Sequence, residues 1–325
     1  FPDLYEVGMS HLGSHILYDV INRDEKIFCE RVYAPAVDME NMMREKNIPL
    51  FALESREPIT NFDVIAFTLQ YELSYTNILN MLDLANVPIL RTERKLDDPF
   101  ILVGGPCAYN VEPMADFVDI VVLGEGEEVN LEILNAYKEW KKNKTTREDF
   151  LYQISSIEGV YIPSFYDVTY NEDNTVKEVV PNRENIPSKP HKRIIKDVEN
   201  VPYPEKLIVP FIDTVHNRVV LELFRGCTRG CRFCQAGMIY RPIREKSVER
   251  LKEIVDKLVK STGYDEISLS SLSTSDYSKL SELTDYLVDE YASNNIGISL
   301  PSLRLDNFSM EIAEKIQQVR KSGLT

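Results

Sequence analysis

Apolar and polar positions alternate along the first 145 residues in a way that predicts strands and helices in turn. Short runs of consecutive apolar residues predict buried strands, and amphipathic stripes predict the helices between them. The predicted strands are residues 27–32, 63–68, 100–103 and 120–123, and the predicted helices are residues 11–22, 39–45 (capped by Asp38), 74–86 and 128–142. This order predicts a parallel sheet covered on both faces, in a doubly wound, flavodoxin-like or Rossmann-like α/β domain over residues 1–145.

The remaining sequence changes its pattern twice. Residues 167–170 and 176–180 flank a polar turn and predict a β-hairpin, and six prolines follow it, so residues 146–213 are predicted to be a hairpin and a connector. From residue 214 the alternation returns. Strands are predicted at 218–224, 265–271 and 296–300, helices at 247–261, 278–293 and 309–322, and a fourth strand from Leu324. Residues 214–325 are therefore predicted to form the front half of a (β/α)6 partial TIM barrel.

Charge and composition narrow the classes of function. The chain carries 37 Lys and Arg against 52 Asp and Glu, a net charge of −15, which disfavours direct binding to a nucleic-acid backbone. No apolar run reaches the length of a membrane span. Few cysteines favour a reducing, cytoplasmic location. Because the chain lacks an initiator methionine and both ends fall at predicted strands, we expect a fragment of a larger protein.

Three of the five cysteines form one motif, Cys227, Cys231 and Cys234, with the spacing Cys-x3-Cys-x2-Cys. Thiolates are soft ligands that suit iron–sulfur clusters and zinc. Three thiolates would leave one iron of a cubane cluster open. A zinc site with a distant fourth ligand is the alternative, but zinc motifs usually have a second ligand pair and the four histidines are scattered. The motif directly follows the first predicted barrel strand, where such barrels place their catalytic groups.

The run Arg225-Gly226-Cys227, with Phe233 before the last cysteine, resembles the cluster loop of radical S-adenosylmethionine (radical SAM) enzymes. The resemblance implies that the three cysteines hold a [4Fe–4S] cluster whose open iron binds S-adenosylmethionine. Reductive cleavage then forms a 5′-deoxyadenosyl radical, with an electron from a reductant such as flavodoxin or ferredoxin. We interpret Arg225 and Arg229 as residues that reduce the negative charge of the cluster.

The same resemblance predicts contacts to S-adenosylmethionine at Phe233, Ser270, Ser271, Ser302 and Arg304. Many family members carry a Gly-Gly-Glu turn after the second strand, and this chain has Ser270-Ser271-Leu272 there, without the acid. The alternatives are that the serines are turn residues and that Arg304 pairs with a carboxylate on the surface. No catalytic residue beyond the cluster ligands is predicted.

The amino-terminal segment resembles cobalamin-binding domains, whose signature is Asp-x-His-x-x-Gly, followed by Ser-x-Leu and Gly-Gly. The tentative cobalamin positions in this sequence are Asp3, Tyr5, Gly8, Thr68, Gly104, Gly105, Gly124 and Gly126. A tyrosine replaces the cobalt-ligating histidine, and a phenol is a poor ligand for cobalt at neutral pH. The resemblance therefore implies cobalt without a protein ligand from this position. A degenerate domain that binds no cofactor is the alternative.

Three functional hypotheses follow. The first is a radical SAM enzyme, with methyl transfer if cobalamin binds. The second is a methylthiotransferase-like modifier of tRNA or a ribosomal protein; those relatives use three further cysteines, and here Cys29 and Cys107 alone remain. The third is a non-enzymatic iron–sulfur or zinc module. We expect the chain by itself to be inactive, and no residue identifies a substrate.

Overall fold

The computed structural model describes residues 1–143, 145–307 and 309–319, which form two compact units. Unit 1 comprises Phe1–Gly8 and Val20–Ile194, and unit 2 comprises Met9–Asp19 and the chain from Ile195. Up to residue 194 the elements are α1 (Tyr5–Gly8), α2 (Leu12–Asn22), α3 (Val37–Lys46), β1 (Val64–Thr68), α4 (Tyr75–Leu84), β2 (Phe100–Gly104), β3 (Ile120–Val122), α5 (Gly126–Asn143), α6 (Arg147–Ile154), β4 (Val160–Tyr161), β5 (Tyr166–Tyr170) and β6 (Val176–Pro181). The later elements are β7 (Val219–Glu222), β8 (Phe224–Arg225), α7 (Ala236–Ile239), β9 (Arg244–Glu245), α8 (Val248–Thr262), β10 (Glu266–Ser270), α9 (Leu280–Tyr291), β11 (Gly297–Ser299) and α10 (Met310–Val319).

Unit 1 contains a sheet in the order β1-β2-β3-β4. The first three strands are parallel, and β4 is antiparallel to β3. The residues of β2, β3 and β4 are buried apart from Gly104, as expected for strands covered on both faces, whereas in β1 only Ile65 and Phe67 are buried and Ala66 is exposed. The predicted α/β class and the strands at 63–68, 100–103 and 120–123 are confirmed.

The predicted strand at residues 27–32 is wrong. Side chains and single backbone groups bond the backbone there, and no described strand pairs with it: the carbonyl of Arg31 accepts from the N–H of Leu53, and that of Val32 from the amino terminus. Asn22 bonds both the N–H and the carbonyl of Cys29, and the N–H of Arg31 donates to Glu54. Without that strand, the described sheet runs in chain order from β1 to β4. It has no point at which the strand order reverses, as it does in a doubly wound sheet. The cap prediction at Asp38 is also wrong, because α3 begins at Val37 after Ala36 and Asp38 lies in the first turn.

Residues 146–194 hold more structure than the sequence predicted. The hairpin is confirmed as β5 and β6, which pair antiparallel. Helix α6 and strand β4 precede it and were not predicted, although Thr146 and Asp149 form a reciprocal capping box at the start of α6. The boundaries predicted at residues 145 and 213 stay predictions.

Unit 2 contains a parallel sheet in the order β11-β10-β7. Leu221 and Leu269 are opposite each other and fully buried, whereas Glu222 and Ser270 form the next, half-exposed pair. Helices α8 and α9 follow β7 and β10, so the predicted βα alternation is confirmed. The predicted end of the last helix, residues 320–322, and the strand from Leu324 lie outside the described residues.

No helix in the described part of the chain has both the length and the apolar content required to cross a membrane.

Candidate functional site

The cysteine loop leaves the sheet of unit 2 directly after its first strand. β8 carries Arg225 into a short antiparallel pair with β9. Gly226 then adopts a φ of 97°, and a Cβ there would lie 2.4 Å from the carbonyl oxygen of Pro242. Only glycine fits this position, so the turn that starts the loop depends on it. Residues 226–235 have no helix or strand, and the N–H of Cys234 donates to the carbonyl of Cys231 at 3.0 Å.

The three cysteine thiols are free and half-buried. Among the described residues no three His, Cys, Asp or Glu side chains come together in an arrangement that would hold a metal ion. The structure therefore places the thiols on one short loop without gathering them around a common point. Three accessible soft donors on a loop without regular secondary structure suit an iron–sulfur cluster, which can collect them as it binds.

Arg304 lies close to the cysteines, and Phe233 does not pack against the protein. The Nη1 of Arg304 is 3.7 Å from the Sγ of Cys231, although Arg304 follows β11 and the cysteine follows β7. The guanidinium also donates two 2.9 Å hydrogen bonds to Asp306. Phe233 is 94% exposed. The structure thus brings Arg304 to the predicted cluster site and leaves the Phe233 side chain in solvent.

The predicted serines hold loops in place. The hydroxyl of Ser271 is 3.1 Å from that of Thr274, which donates to the carbonyl of Pro301 at 2.6 Å. The carbonyl of Ser302 accepts from the N–H of Thr274, and Ser302 has a φ of 60°. Ser270 ends β10 opposite Glu222. These contacts join the loops after β10 and β11, and the roles of the serines in binding S-adenosylmethionine stay predictions.

A buried ionic cluster below the cysteine loop was missed by the sequence analysis. Lys246 is 1% exposed and donates to the carboxylate of Glu222 at 2.6 Å. Arg225 donates to the same carboxylate at 3.0 Å. Burial raises the pKa of Glu222, but the charges of Arg225 and Lys246 outweigh it and lower that pKa to about 2. Arg225 is thus engaged by a carboxylate, and no spacing rule relates Glu222 to Lys246 in the sequence.

The positions predicted for cobalamin lie in unit 1, and the protein's own groups fill the space beside three of the glycines. A Cβ on Gly8 would lie 2.2 Å from the ring of Tyr33. A Cβ on Gly105 would lie 2.7 Å from the carbonyl oxygen of Leu69, and one on Gly124 would lie 2.1 Å from that of Arg193. These three glycines permit close approach of this chain's own groups.

The other positions predicted for cobalamin form hydrogen bonds or ring contacts, or belong to the sheet or a helix. Asp3 accepts hydrogen bonds from the N–H of Leu4 and the hydroxyl of Tyr71. The ring of Tyr5 packs edge-on against that of Tyr33, with 5.3 Å between centroids. Thr68 and Gly104 are paired in the sheet, and Gly126 begins α5. These residues contact other groups of the chain or pair in the sheet, and their roles in binding cobalamin stay predictions.

Two family models match the chain. Residues 13–163 match the amino-terminal region of radical SAM proteins, and residues 221–325 match the radical SAM superfamily. Together they account for most of the sequence, including the cysteine loop. The chain belongs to the radical SAM superfamily.

Two proteins of Methanocaldococcus jannaschii are similar in sequence. The uncharacterised protein MJ0966 is 28% identical over 316 residues, which are 96% of this chain and 56% of MJ0966. MJ0865, provisionally named a methylthiotransferase, is 26% identical over 211 residues, which are 57% of this chain and 45% of that protein. The chain thus spans about half the length of these relatives.

Two solved structures of TsrM, a radical S-adenosylmethionine methyltransferase from Kitasatospora setae, share the fold. The one with cobalamin and a [4Fe–4S] cluster bound has a TM-score of 0.56, and the one with tryptophan and aza-SAM has 0.53. Each match covers 94% of this chain and 54% of TsrM at 12% identity. At that identity the likeness establishes the fold alone, and it supports the predicted combination of an α/β domain with a radical SAM domain.

Proposed function

We propose that the protein binds a [4Fe–4S] cluster through Cys227, Cys231 and Cys234 and reductively cleaves S-adenosylmethionine. One observation carries the proposal. The Cys-x3-Cys-x2-Cys loop follows the first strand of a parallel sheet, and Arg304 from beyond the third strand lies 3.7 Å from Cys231. Loops at the carboxyl ends of neighbouring parallel strands meet on one edge, which is where such folds build active sites.

When bound, such a cluster supplies an electron to the sulfonium of S-adenosylmethionine, giving methionine and a 5′-deoxyadenosyl radical that abstracts hydrogen from a substrate. The protein residues bind and orient the reactants. Arg304 pairs with Asp306 and directs its Nη1 at Cys231, and the loops held by Ser271 and Ser302 border the same edge of the sheet. The electron would come from a reductant of the flavodoxin or ferredoxin class. Free thiols favour a cytoplasmic setting for this chemistry.

Anaerobic reconstitution with iron and sulfide tests the proposal. We expect about four irons per chain, and near-complete loss of that iron in Cys231→Ser. The matched control is Cys107→Ser, a half-buried free cysteine of unit 1, which should keep the wild-type iron content. Reduced, loaded protein should then convert S-adenosylmethionine into 5′-deoxyadenosine, although turnover by this chain alone is expected to be weak. Equal iron in Cys231→Ser and wild type would contradict the ligand assignment.

A methylthiotransferase is the second candidate, and the sequence similarity to MJ0865 favours it. Relatives of that kind use a second cluster, whereas Cys29 and Cys107 are the only cysteines of this chain outside the loop. Iron counting separates the two: about eight irons per chain would favour this candidate.

Cobalamin-dependent methyl transfer is a finer form of the first candidate. The fold likeness to TsrM supports it, whereas the filled space beside Gly8, Gly105 and Gly124 argues against it. We therefore propose the cleavage chemistry without a corrinoid step. A titration with hydroxocobalamin should give no saturable change in absorbance, and a saturable change would restore this candidate.

A further inference from the structure

An ionic contact joins the cysteine loop to the loop after β10. Arg229 lies between Cys227 and Cys231, and its Nε donates to the carboxylate of Asp276 at 2.8 Å. A second nitrogen of the same guanidinium donates to the other oxygen, which makes the contact bidentate. Bidentate Arg–carboxylate pairs fix direction as well as distance. The middle of the cysteine loop is thereby fixed in orientation.

Asp276 is anchored on its own side of this contact. Asn307 donates to its carboxylate at 3.2 Å and to the carbonyl of Ser275 at 2.6 Å. The hydrogen bonds from Arg229 hold the pKa of Asp276 well below its ordinary value of 3.8. The carboxylate is therefore ionised at any pH at which the protein would work, and the contact persists across that range.

The contact continues to the loop after β11. The Nη1 of Arg229 lies 3.7 Å from Asp306, whose carboxylate accepts two hydrogen bonds from Arg304. Arg304 in turn reaches Cys231. Negative and positive groups thus alternate from Asp276 through Arg229, Asp306 and Arg304 to the thiol. We call these four charged residues the loop clamp.

The positive and negative charges of the loop clamp are balanced. Its two carboxylates balance its two guanidinium groups, so it adds no net charge of its own. Both arginines of the clamp lie beside the cysteine loop or within it. An isolated exposed ion pair is usually worth little, but a bidentate network confined to three loops can limit their motion.

We propose that Arg229, Asp276 and Asp306 are positioning residues that hold the cysteine loop against the loops after β10 and β11 and direct Arg304 at Cys231. The inference rests on the proposed function, because its consequence is tighter retention of the cluster. Its structural part applies equally to the protein without iron.

Asp276→Asn tests the proposal, with Asp276→Glu as the conservative variant. Asp285→Asn is the matched control, because Asp285 also forms an exposed ion pair in unit 2, with Lys315 at 2.8 Å. The first measurement is the half-life of bound iron under a chelator, in anaerobically loaded protein. We expect Asp276→Asn to shorten it about fivefold, Asp276→Glu to restore most of it, and Asp285→Asn to leave it unchanged.

The second measurement is amide hydrogen exchange of residues 226–235 in iron-free protein. Exchange should be faster in Asp276→Asn than in wild type or Asp285→Asn, because the clamp acts before any cluster binds. If wild type binds no iron, the proposed function fails, and this measurement still decides on the clamp. If residues 226–235 of Asp276→Asn exchange as slowly as those of wild type, the positioning role is overturned. The same holds if Asp276→Asn keeps its iron as long as wild type does.

Discussion

Replacing Lys246 with methionine removes a buried charge from below the cysteine loop while keeping a long apolar side chain. In the folded protein the Nζ of Lys246 lies 2.6 Å from the carboxylate of Glu222 and 5.7 Å from the ring centre of Tyr203. The Glu222 side chain is 19% exposed, so its charge is only partly hydrated. Without the Lys246 ammonium, Glu222 still pairs with Arg225, whose Nε lies 3.0 Å from the carboxylate.

The lowered pKa of Glu222 gives the size of the expected change in the free energy of unfolding. That pKa falls from 4.5 to about 2, a difference of about 2.5 units, and each unit is about 1.4 kcal/mol. Ionisation of Glu222 therefore contributes about 3 kcal/mol to the free energy of unfolding at pH 7. Because Arg225 stays, we expect Lys246→Met to lose about 2 kcal/mol.

The sign of the pH dependence follows from the lowered pKa. Glu222 is charged in both states above pH 4.5, so its full contribution is present there, and it disappears as the pH falls through about 2. The difference in unfolding free energy between wild type and Lys246→Met should be constant from pH 7 to 5 and shrink between pH 4.5 and 2.

Urea unfolding followed by far-UV circular dichroism at pH 7, 5 and 3 measures this difference. Lys257→Met is the control, because Lys257 pairs with Glu205 on the surface and its side chain is 48% exposed. That variant should lose less than about 0.5 kcal/mol. A loss below about 0.5 kcal/mol for Lys246→Met, or an equal loss at pH 7 and pH 3, would refute the reasoning.

Two further predictions concern the stability of the fold, one for a buried ion pair and one for two glycines with positive φ. Arg94→Met should cost about 3 kcal/mol, because Arg94 is fully buried and donates to buried Asp119 at 2.8 Å; the emission of the chain's single tryptophan, which lies in unit 1, reports this unfolding. Gly124→Ala should lower the free energy of unfolding by about 3 kcal/mol and Gly263→Ala by about 1 kcal/mol, as measured by thermal unfolding. Both glycines have positive φ, but a Cβ would meet a backbone oxygen at 2.1 Å in the first and open space in the second. Equal losses would contradict this.

The sequence predicts the first three strands well because a run of consecutive apolar residues is a local signal. β1, β2 and β3 are runs of consecutive apolar residues, and each is recognisable without knowledge of its neighbours. The segment at 27–32 carries a similar signal, but Asn22, Glu54 and the backbone of Leu53 bond several of its backbone groups. That outcome depends on side chains outside the segment, so no local pattern reveals it.

The candidate site likewise has a part that a local sequence pattern predicts and a part that depends on distant residues. The cysteine loop is a local motif with fixed spacing, and its place after a strand follows from the order of elements. Asp276, Asp306 and Lys246 act through Arg229, Arg229 and Glu222. These partners are 47, 77 and 24 positions away along the chain, and sequence spacing does not select them. Glycine is ambiguous for a different reason. The freedom that would let a cofactor approach Gly124 also lets Arg193 approach it.

The spectrum of the reduced, iron-loaded protein tests the central claim most directly. If Cys227, Cys231 and Cys234 hold a cluster with an open iron, addition of S-adenosylmethionine should change the electron paramagnetic resonance signal of the wild type. Cys107→Ser should show the same change, and Cys231→Ser should show no cluster signal. A cluster signal that S-adenosylmethionine leaves unchanged in wild type would mean a closed cluster and would contradict the account.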